Sequence, residues 1–478
     1  MDANDVKLYR LRAVSVADGR YADKTVCVAQ YLSEATYILE RLEISVHWFQ
    51  YVVTNLIPNH GVDFIRFVDD FHKMLQTDKN YIPLRIKTIE ETTRHDVQAI
   101  IDFLKEFYIN GKYGDPQFVG YIHFCLTSQD LNTSGLKLPL RDLIENEFNK
   151  CVNVIGGSIQ RLINRAGNVD TSVMGITHGQ PAVIVTMNNT LTMMHNQIND
   201  QLEIINWNCK KLRTKFGGAT GGLNALKMVF EITGRQFDIK TFVDDFCSNY
   251  LGMERNDQSG QTDSYIDLVN LINSINVLNA ILKKICTDIW LYISKEYFIL
   301  KRNDNETGSS AMPHKVNPID FENAEANLKL AIDLGRSISD IILDLRMQRD
   351  LRDSTALRNL GCYFGYCLLA YGNIANGFDK LHINTDYMTH DIKEHPEIYS
   401  EALQICLRTF GTEDSYKMLK GLTRGEKVTI ADLLKFAEEV PLNELFIAKY
   451  YSVTIDAIRN KLRMLVTDHA THYAPVKY

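Results

Sequence analysis

The chain has 478 residues, 45% of them hydrophobic and 23% charged, and carries a formal net charge of −7. That length and apolar fraction predict a soluble globular protein of two or three domains and argue against a disordered chain. The acidic balance comes without a basic run, so no nucleic-acid groove is suggested, and no uninterrupted apolar stretch reaches membrane-spanning length.

Only 10 prolines occur, about half the usual frequency, which favours long helices. The nine cysteines are scattered, with no CxxC pair and no His/Cys cluster at zinc spacing. They read as free thiols in a reducing compartment. Asp2 and Asp5 stand where a signal or transit peptide would be basic. The C-terminal Ala474-Pro475-Val476-Lys477-Tyr478 matches no retention or peroxisomal signal, so the expected compartment is the cytoplasm.

Residues 1–114 mix helical segments with polar breaks. Asp18-Gly19 reads as a turn, and the Arg20 and Tyr21 that follow can reach a phosphate. In Thr92-Thr93-Arg94-His95-Asp96-Val97 a histidine stands between a cation and a carboxylate, a pattern for polar substrate contact. Taken alone, such a run is more often a solvated helix face. Thr127-Ser128-Gln129-Asp130-Leu131-Asn132 suits hydrogen bonding to a carboxylate or phosphate, and suits a helix N-cap equally well.

From about residue 115 to 365 the apolar spacing is helical. Residues 139–166 place Leu143, Ile144, Phe148, Cys151, Val152, Ile155, Ile159 and Leu162 three and four apart. Thr177-His178-Gly179-Gln180-Pro181-Ala182 follows the apolar Val173, Met174 and Ile176. Its Gly-Gln-Pro is expected to open a helix, because proline is favourable just inside a helix start. An isolated histidine there would read as a hydrogen-bonded structural residue. Residues 183–212 continue as a helix through Val185, Leu191, Met194, Ile198, Leu202 and Ile205. The glycine-rich Lys215–Gly222 lacks the spacing of a phosphate loop or dinucleotide fingerprint and reads as a connection allowing close backbone approach. Gln261 offers an amide in the loop before the longest predicted helix, 264–296. That helix carries Leu268, Leu271, Ile272, Ile275, Leu278, Leu282, Ile285, Ile289 and Ile293, and Val269, Ala280 and Ile281 add a second apolar face. A face of this breadth is hard to cover within one chain, so oligomerisation is expected.

The polar stretch 297–308 reads as a lid over a site. It leads into Gly308-Ser309-Ser310-Ala311-Met312-Pro313-His314-Lys315-Val316-Asn317-Pro318, and a helix is predicted over 319–346. Hydroxyls beside a cation and a helix N-terminus suit a developing anion. In Arg349-Asp350-Leu351-Arg352-Asp353-Ser354-Thr355-Ala356-Leu357-Arg358, Ser354 and Arg358 form an i,i+4 pair. A hydroxyl among guanidinium groups is a phosphate cradle, and surface ion pairs are the plainer alternative. Beyond 366, shorter helices are broken at Asn384, His395-Pro396, Gly411, Gly421 and Pro441. The expected division is 1–114, 115–365 and 366–478, with a bundle in the middle.

The run from Gly308 to Pro318 resembles the signature of the fumarase/aspartase superfamily. Together with the THGQPA, TRHDV and RDLRDSTALR segments it resembles the adenylosuccinate lyase family in its bacterial-type branch, from about Val14 to about Arg424. The resemblance implies an all-α, three-domain fold around a central long-helix bundle, assembled as a homotetramer with active sites shared among three subunits. It implies cleavage of adenylosuccinate to AMP and fumarate, and of succinyl-aminoimidazole carboxamide ribotide to the carboxamide ribotide and fumarate. It implies no metal or organic cofactor, no nucleic acid and no membrane. A β-elimination needs a base, a stabilised carbanion and an acid. The resemblance assigns the base to Ser309 over Ser310, which the sequence itself does not distinguish. His178 suits the acid, and Lys315 the support of the anion. Arg20, Tyr21, Arg349, Ser354 and Arg358 would hold the phosphate. Thr127, Ser128, Gln261, Lys315 and Asn317 would hold the succinyl carboxylates, with Arg94, His95, Asp96, Ser310 and Met312 completing the binding set. Family members tend to carry a lysine a few turns after HGQPA. Here that region reads Thr186-Met187-Asn188-Asn189, so Asn189 is left out of the expected site. Argininosuccinate lyase is the alternative enzyme, distinguished by lacking a phosphate pocket. A non-catalytic lens-type relative is the alternative class, and it would lack His178 or Ser309.

Overall fold

The computed structural model describes residues 3–167, 170–236, 238–301, 312 and 314–467. Helices make up nearly all the regular structure among these residues, with two two-stranded antiparallel sheets beside them. The chain divides into two compact units. One comprises Met1–Val154, Ile198–Lys284 and Asn323–Asn373; the other comprises Ile155–Gln197, Ile285–Glu322 and Ile374–Tyr478.

The first unit is built on the helix Glu34–Leu56, capped by Ser33, whose hydroxyl accepts from the Thr36 amide at 3.2 Å. Leu42, Val46, Phe49 and Val53 follow helical spacing and are all buried. This stripe packs on the helices Tyr81–Thr93, Asp96–Gly111 and Ser128–Leu143. Phe49 meets the rings of Phe64, Phe67 and Tyr108 edge-on at 5.2, 5.7 and 5.4 Å. Such pairs add about 0.5–1.5 kcal/mol each beyond area burial.

The helix predicted over 139–166 starts earlier. Ser128–Leu143 passes through a single π turn, Ile144–Phe148, into Asn149–Ala166. Pro139 sits inside it, without an amide to donate, and the Asn149 amide bonds Ile144 in the wider i→i+5 pattern. The longest helix is Ile266–Ser294. Its Leu268, Leu271, Ile272, Ile275, Leu278 and Leu282 are buried. Of the second face, Val269 is buried, Ile281 half-buried and Ala280 exposed, and Val277 is 48% exposed. Tyr363 and Tyr371, on the helix Leu360–Lys380, donate their hydroxyls to Ile272 O and to Asn279 Oδ1.

In the second unit the expected helix start at Gly179-Gln180-Pro181 is absent. Strand β1, Ser172–Thr177, pairs antiparallel with β2, Gln180–Thr186, and the helix begins only at Met187. The β-branched Ile184 and Val185 sit opposite Met174 and Val173, and this cross-strand packing prevails over helical propensity. Part of the predicted polar loop is also ordered: β3, Phe298–Leu300, pairs with β4, Leu381–Ile383. The rest of that expected lid, 302–308, lies outside the described residues. The helix predicted over 319–346 spans Ile319–Leu343. The C-terminal core joins Met174 and Ile184 to Ile398, Leu403, Leu407, Leu433 and Leu462. Gly421 breaks nothing; it lies within the helix Ser415–Thr423, and the left-handed turn comes at Gly425, φ +80°. Among the described residues no helix is long and apolar enough to cross a membrane.

Candidate active site

Arg94 ends the helix Tyr81–Thr93 with φ +54°, and its amide donates to Glu90 O at 2.8 Å. His95 then caps the helix Asp96–Gly111, its Nδ1 accepting from the Gln98 amide at 3.2 Å. A ring nitrogen that accepts this bond carries no proton, so the imidazole hydrogen sits on Nε2. The run is therefore a corner between two helices and not a continuous helix face. Thr127 caps the helix Ser128–Leu143 in a reciprocal box with Asp130, whose Oδ2 accepts from the Thr127 amide at 2.7 Å. The Thr127 hydroxyl also accepts from Gln261 Nε2 at 3.3 Å.

Asp130 also anchors the glycine-rich segment. Its Oδ1 accepts from Lys215 Nζ at 2.7 Å and from the amides of Gly217 and Gly218 at 2.8 and 3.3 Å. Both charged side chains are fully buried. Gly221 has φ +85°, and a Cβ there would stand 1.8 Å from Ser259 O. Only glycine permits that approach, which sets the loop carrying Gln261. The remaining wall comes from Arg349 and the short helix Arg352–Leu357. Buried Asp353 accepts from Gln129 Nε2 at 3.0 Å and from the Tyr265 hydroxyl at 3.1 Å, tying that helix to the one beginning at Ser128. Burial, reinforced by Asp353, pushes the Tyr265 phenol well above its usual pKa, so it remains a donor.

These elements enclose a cavity of about 520 Å³ lined by Arg94, His95, Asp96, Thr127, Ser128, Gln261, Arg349, Ser354 and Arg358. Three guanidinium groups against Asp96 and Glu90 suit a ligand carrying phosphate or carboxylate. Burial would raise Asp96, but Arg41, the Val97 amide and Arg358 more than offset it and hold the carboxyl below the usual range. Arg358 lies 3.6 Å from both Asp96 and Glu34 and is 47% exposed, so it can turn to an incoming anion at small cost.

Arg41, Glu90, Asn132, Leu351, Thr355 and His123 complete the surroundings; sequence reasoning gave Arg41, Glu90 and His123 no role, and Asn132, Leu351 and Thr355 entered it only as members of longer runs. Arg41 is fully buried, with Nη1 donating to Asp96 at 2.7 Å and to Asn132 at 3.1 Å, and its guanidinium lies 4.0 Å from the Tyr37 ring centre. The available signal was an arginine in phase with the apolar Ile38 and Leu42. His123 is held by burial at a pKa of about 4, with Asp130 opposing.

The other expected residues lie elsewhere. Arg20 and Tyr21 follow the Asp18-Gly19 turn, and the Tyr21 hydroxyl accepts from Asn323 at 3.4 Å; neither lines the cavity. His178 belongs to the second unit, exposed at the tip of the β1–β2 hairpin. Its φ of +54° and the +73° of Gly179 make a two-residue turn of the primed type that matches strand twist. Lys315 is exposed in the same unit, its amide donating to Met312 O at 3.1 Å, and Asn317 is half-buried just before the helix Ile319–Leu343. The first turn of that helix holds Asp320, paired with Lys380 at 2.9 Å, and Glu322, which accepts from Trp290 Nε1 at 3.0 Å. Ser309 and Ser310 lie outside the described residues.

The chain matches the lyase family model over residues 49–331 and the adenylosuccinate lyase C-terminal model over residues 345–457. It is 33% identical to adenylosuccinate lyase of Legionella pneumophila (strain Corby) over 476 residues, covering 96% of this chain and 99% of that protein. It is 33% identical to adenylosuccinate lyase of Dictyostelium discoideum, covering 92% and 94%, and 32% identical to that of Escherichia coli (strain K12), again covering 92% and 94%. Among solved structures it is similar to a fumarate lyase from Mesorhizobium sp. BNC1, with TM-score 0.68 at 15% identity, covering 93% of this chain and 98% of that one. It is also similar to 3-carboxy-cis,cis-muconate lactonizing enzyme from Pseudomonas putida, with TM-score 0.65 at 18% identity, covering 92% and 93%. At such identities these two speak for the fold alone. The full-length likeness at 33% identity, together with the family models matched over residues 49–331 and 345–457, places this chain in the adenylosuccinate lyase family of lyases.

Proposed function

We propose that the chain eliminates fumarate from adenylosuccinate, leaving AMP, and from succinyl-aminoimidazole carboxamide ribotide in purine biosynthesis. The observation that carries the substrate reading is the gathering of Arg94, Arg349 and Arg358 with Thr127, Ser128, Gln261 and Ser354 around one cavity of about 520 Å³. Such a set suits a phosphate at one end and carboxylates at the other.

In the reaction a base takes the proton from the succinyl carbon next to a carboxylate. The charge collects on that carboxylate, the C–N bond breaks, and the leaving nitrogen takes a proton. Ser309 acts as the base, made acidic enough by Lys315 and the N-terminal amides of the helix Ile319–Leu343. Lys315 and Asn317 also grip the succinyl group, alongside Ser310 and Met312. His178, presented at an exposed hairpin tip, protonates the nitrogen. Arg20 and Tyr21 join Arg349, Ser354 and Arg358 on the phosphate, and Arg94, His95 and Asp96 contact the remainder. The elimination needs no metal or organic cofactor. The enzyme works in the cytoplasm as a homotetramer whose sites draw on three subunits, with domains 1–114, 115–365 and 366–478. The exposure of Val277 and Ala280 on the longest helix favours assembly, since it leaves an apolar stripe uncovered in a single chain.

The test is the fall in absorbance on adding adenylosuccinate, repeated with argininosuccinate; turnover of the second alone would overturn the reading. Ser309→Ala should lower kcat by at least the roughly 10²–10⁴-fold typical of a lost general base while binding survives, and Ser310→Ala should cost far less. Mixing inactive His178→Ala and Ser309→Ala chains should restore part of the activity if sites are shared. A stable, active monomer of 54.7 kDa would refute the assembly.

A further inference from the structure

Sequence spacing shows no metal-binding cluster, yet folding makes one. Glu43 and His47 lie one turn apart on one face of the helix Glu34–Leu56. His72 comes from the next helix, Phe64–Thr77. One carboxylate oxygen and one nitrogen from each imidazole lie within 4.8 Å of one another, and Glu43 Oε1 is 3.9 Å from His47 Nε2. All three residues are half-buried. None of them lines the arginine-rich cavity.

Two features of the geometry point to a cation. His47 is not fully tied down by its neighbours: Nδ1 is buried without a hydrogen-bond partner. Glu40, one turn before Glu43 on the same helix, adds a further carboxyl beside the cluster. The ring of His47 stands 6.3 Å from that of His72 and 5.8 Å from that of Tyr250, so aromatic surface partly shields the spot from water.

We propose that Glu43, His47 and His72 bind a divalent transition ion of the zinc class, which staples the helix Phe64–Thr77 onto the helix Glu34–Leu56. Two imidazoles and one carboxylate match zinc-type ions and not calcium or magnesium, which take oxygen ligands. Bonds of about 2.0–2.1 Å in a tetrahedron place ligand atoms roughly 3.3–3.5 Å apart, so the side chains close by about 1 Å. Three protein ligands leave a fourth position to water. The helix Glu34–Leu56, onto which the other is stapled, also carries Arg41, which holds Asp96 in the cavity. The ion thus stiffens the frame of the site without touching a ligand in it.

The experiment uses the full chain, stripped with a chelator and titrated with Zn²⁺ by calorimetry and with Co²⁺ by visible absorption. Wild type should bind one ion per chain, melt at a higher temperature with Zn²⁺, and give a nitrogen/oxygen ligand-field spectrum with Co²⁺. His72→Ala should weaken binding by more than the roughly 10–100-fold lost when a residue that merely orients a ligand is removed. Glu43→Gln, which keeps the side chain's shape, should weaken binding too, with its metal-free melting temperature guarding against misfolding. Undiminished binding in both variants, a thiolate charge-transfer band from one of the nine cysteines, or no saturable binding to wild type would each overturn the proposal.

Discussion

Replacing Asp130 by alanine tests the frame of the cavity. Its carboxylate accepts from Lys215 Nζ at 2.7 Å, from the Thr127 amide at 2.7 Å and from the amides of Gly217 and Gly218 at 2.8 and 3.3 Å. Asp130→Ala leaves the Lys215 ammonium fully buried with Gly218 O as its remaining acceptor. A buried charge stripped of its partner costs about 3–5 kcal/mol, and the orphaned amides push the loss toward the upper figure. Lys215→Met should cost less, because three backbone amides still serve the carboxylate. The double change Asp130→Asn with Lys215→Met removes both charges and should recover a large part of the loss, giving a coupling of about 2 kcal/mol or more. Urea unfolding at fixed subunit concentration measures this. Trp48 fluorescence is one reporter, since its ring is buried 5.2 Å from that of Phe216, next to Lys215. The KM for adenylosuccinate should rise in Asp130→Ala, because the lost box placed Thr127 at the cavity. A cost below about 1 kcal/mol, or no relief from Lys215→Met in the Asp130→Asn background, would refute the reasoning.

Four further outcomes follow from the same geometry. His123 is neutral in the fold down to a pKa of about 4, against an ordinary value of 6.5. The unfolded chain therefore binds this proton first, and stability present above pH ~6.5 is lost as pH falls toward ~4, by about 3 kcal/mol at most. His123→Asn should flatten that fall, read as urea midpoints at pH 7.5 and 5. Gly221→Ala should cost at least about 1–3 kcal/mol and raise KM, because its Cβ would strike Ser259 O and displace Gln261; an unchanged KM would count against the cavity. Arg358→Gln should raise KM roughly 10- to 150-fold through loss of a charge-assisted bond worth about 1.5–3 kcal/mol, with Arg358→Lys a poor rescue because lysine lacks the planar fork. Chelation should leave turnover intact, since Glu43, His47 and His72 stand apart from the cavity; activity lost to EDTA and restored by metal would contradict a metal-free elimination.

Helical periodicity was legible wherever an apolar stripe ran for many turns. The stripe of the helix Ile266–Ser294 could be read within about two residues at either end, because burial of one face is a local consequence of 3.6-residue spacing. The lyase family was legible too, since its motifs are short and contiguous. Sequence alone went astray at Thr177–Ala182, where proline after glycine reads as a helix start. The strand register Val173↔Val185 and the left-handed His178-Gly179 turn come from pairing across the hairpin, which no single segment encodes. The tertiary structure alone decided that Arg94, Thr127, Gln261 and Arg358, more than 250 positions apart at the extremes, share one cavity. It also decided that Arg41 lies buried against Asp96, and that His72 meets Glu43 and His47. Composition and period say which side chains turn inward. Which inward-facing groups meet depends on how helices cross, and that is settled by packing between segments distant in the chain.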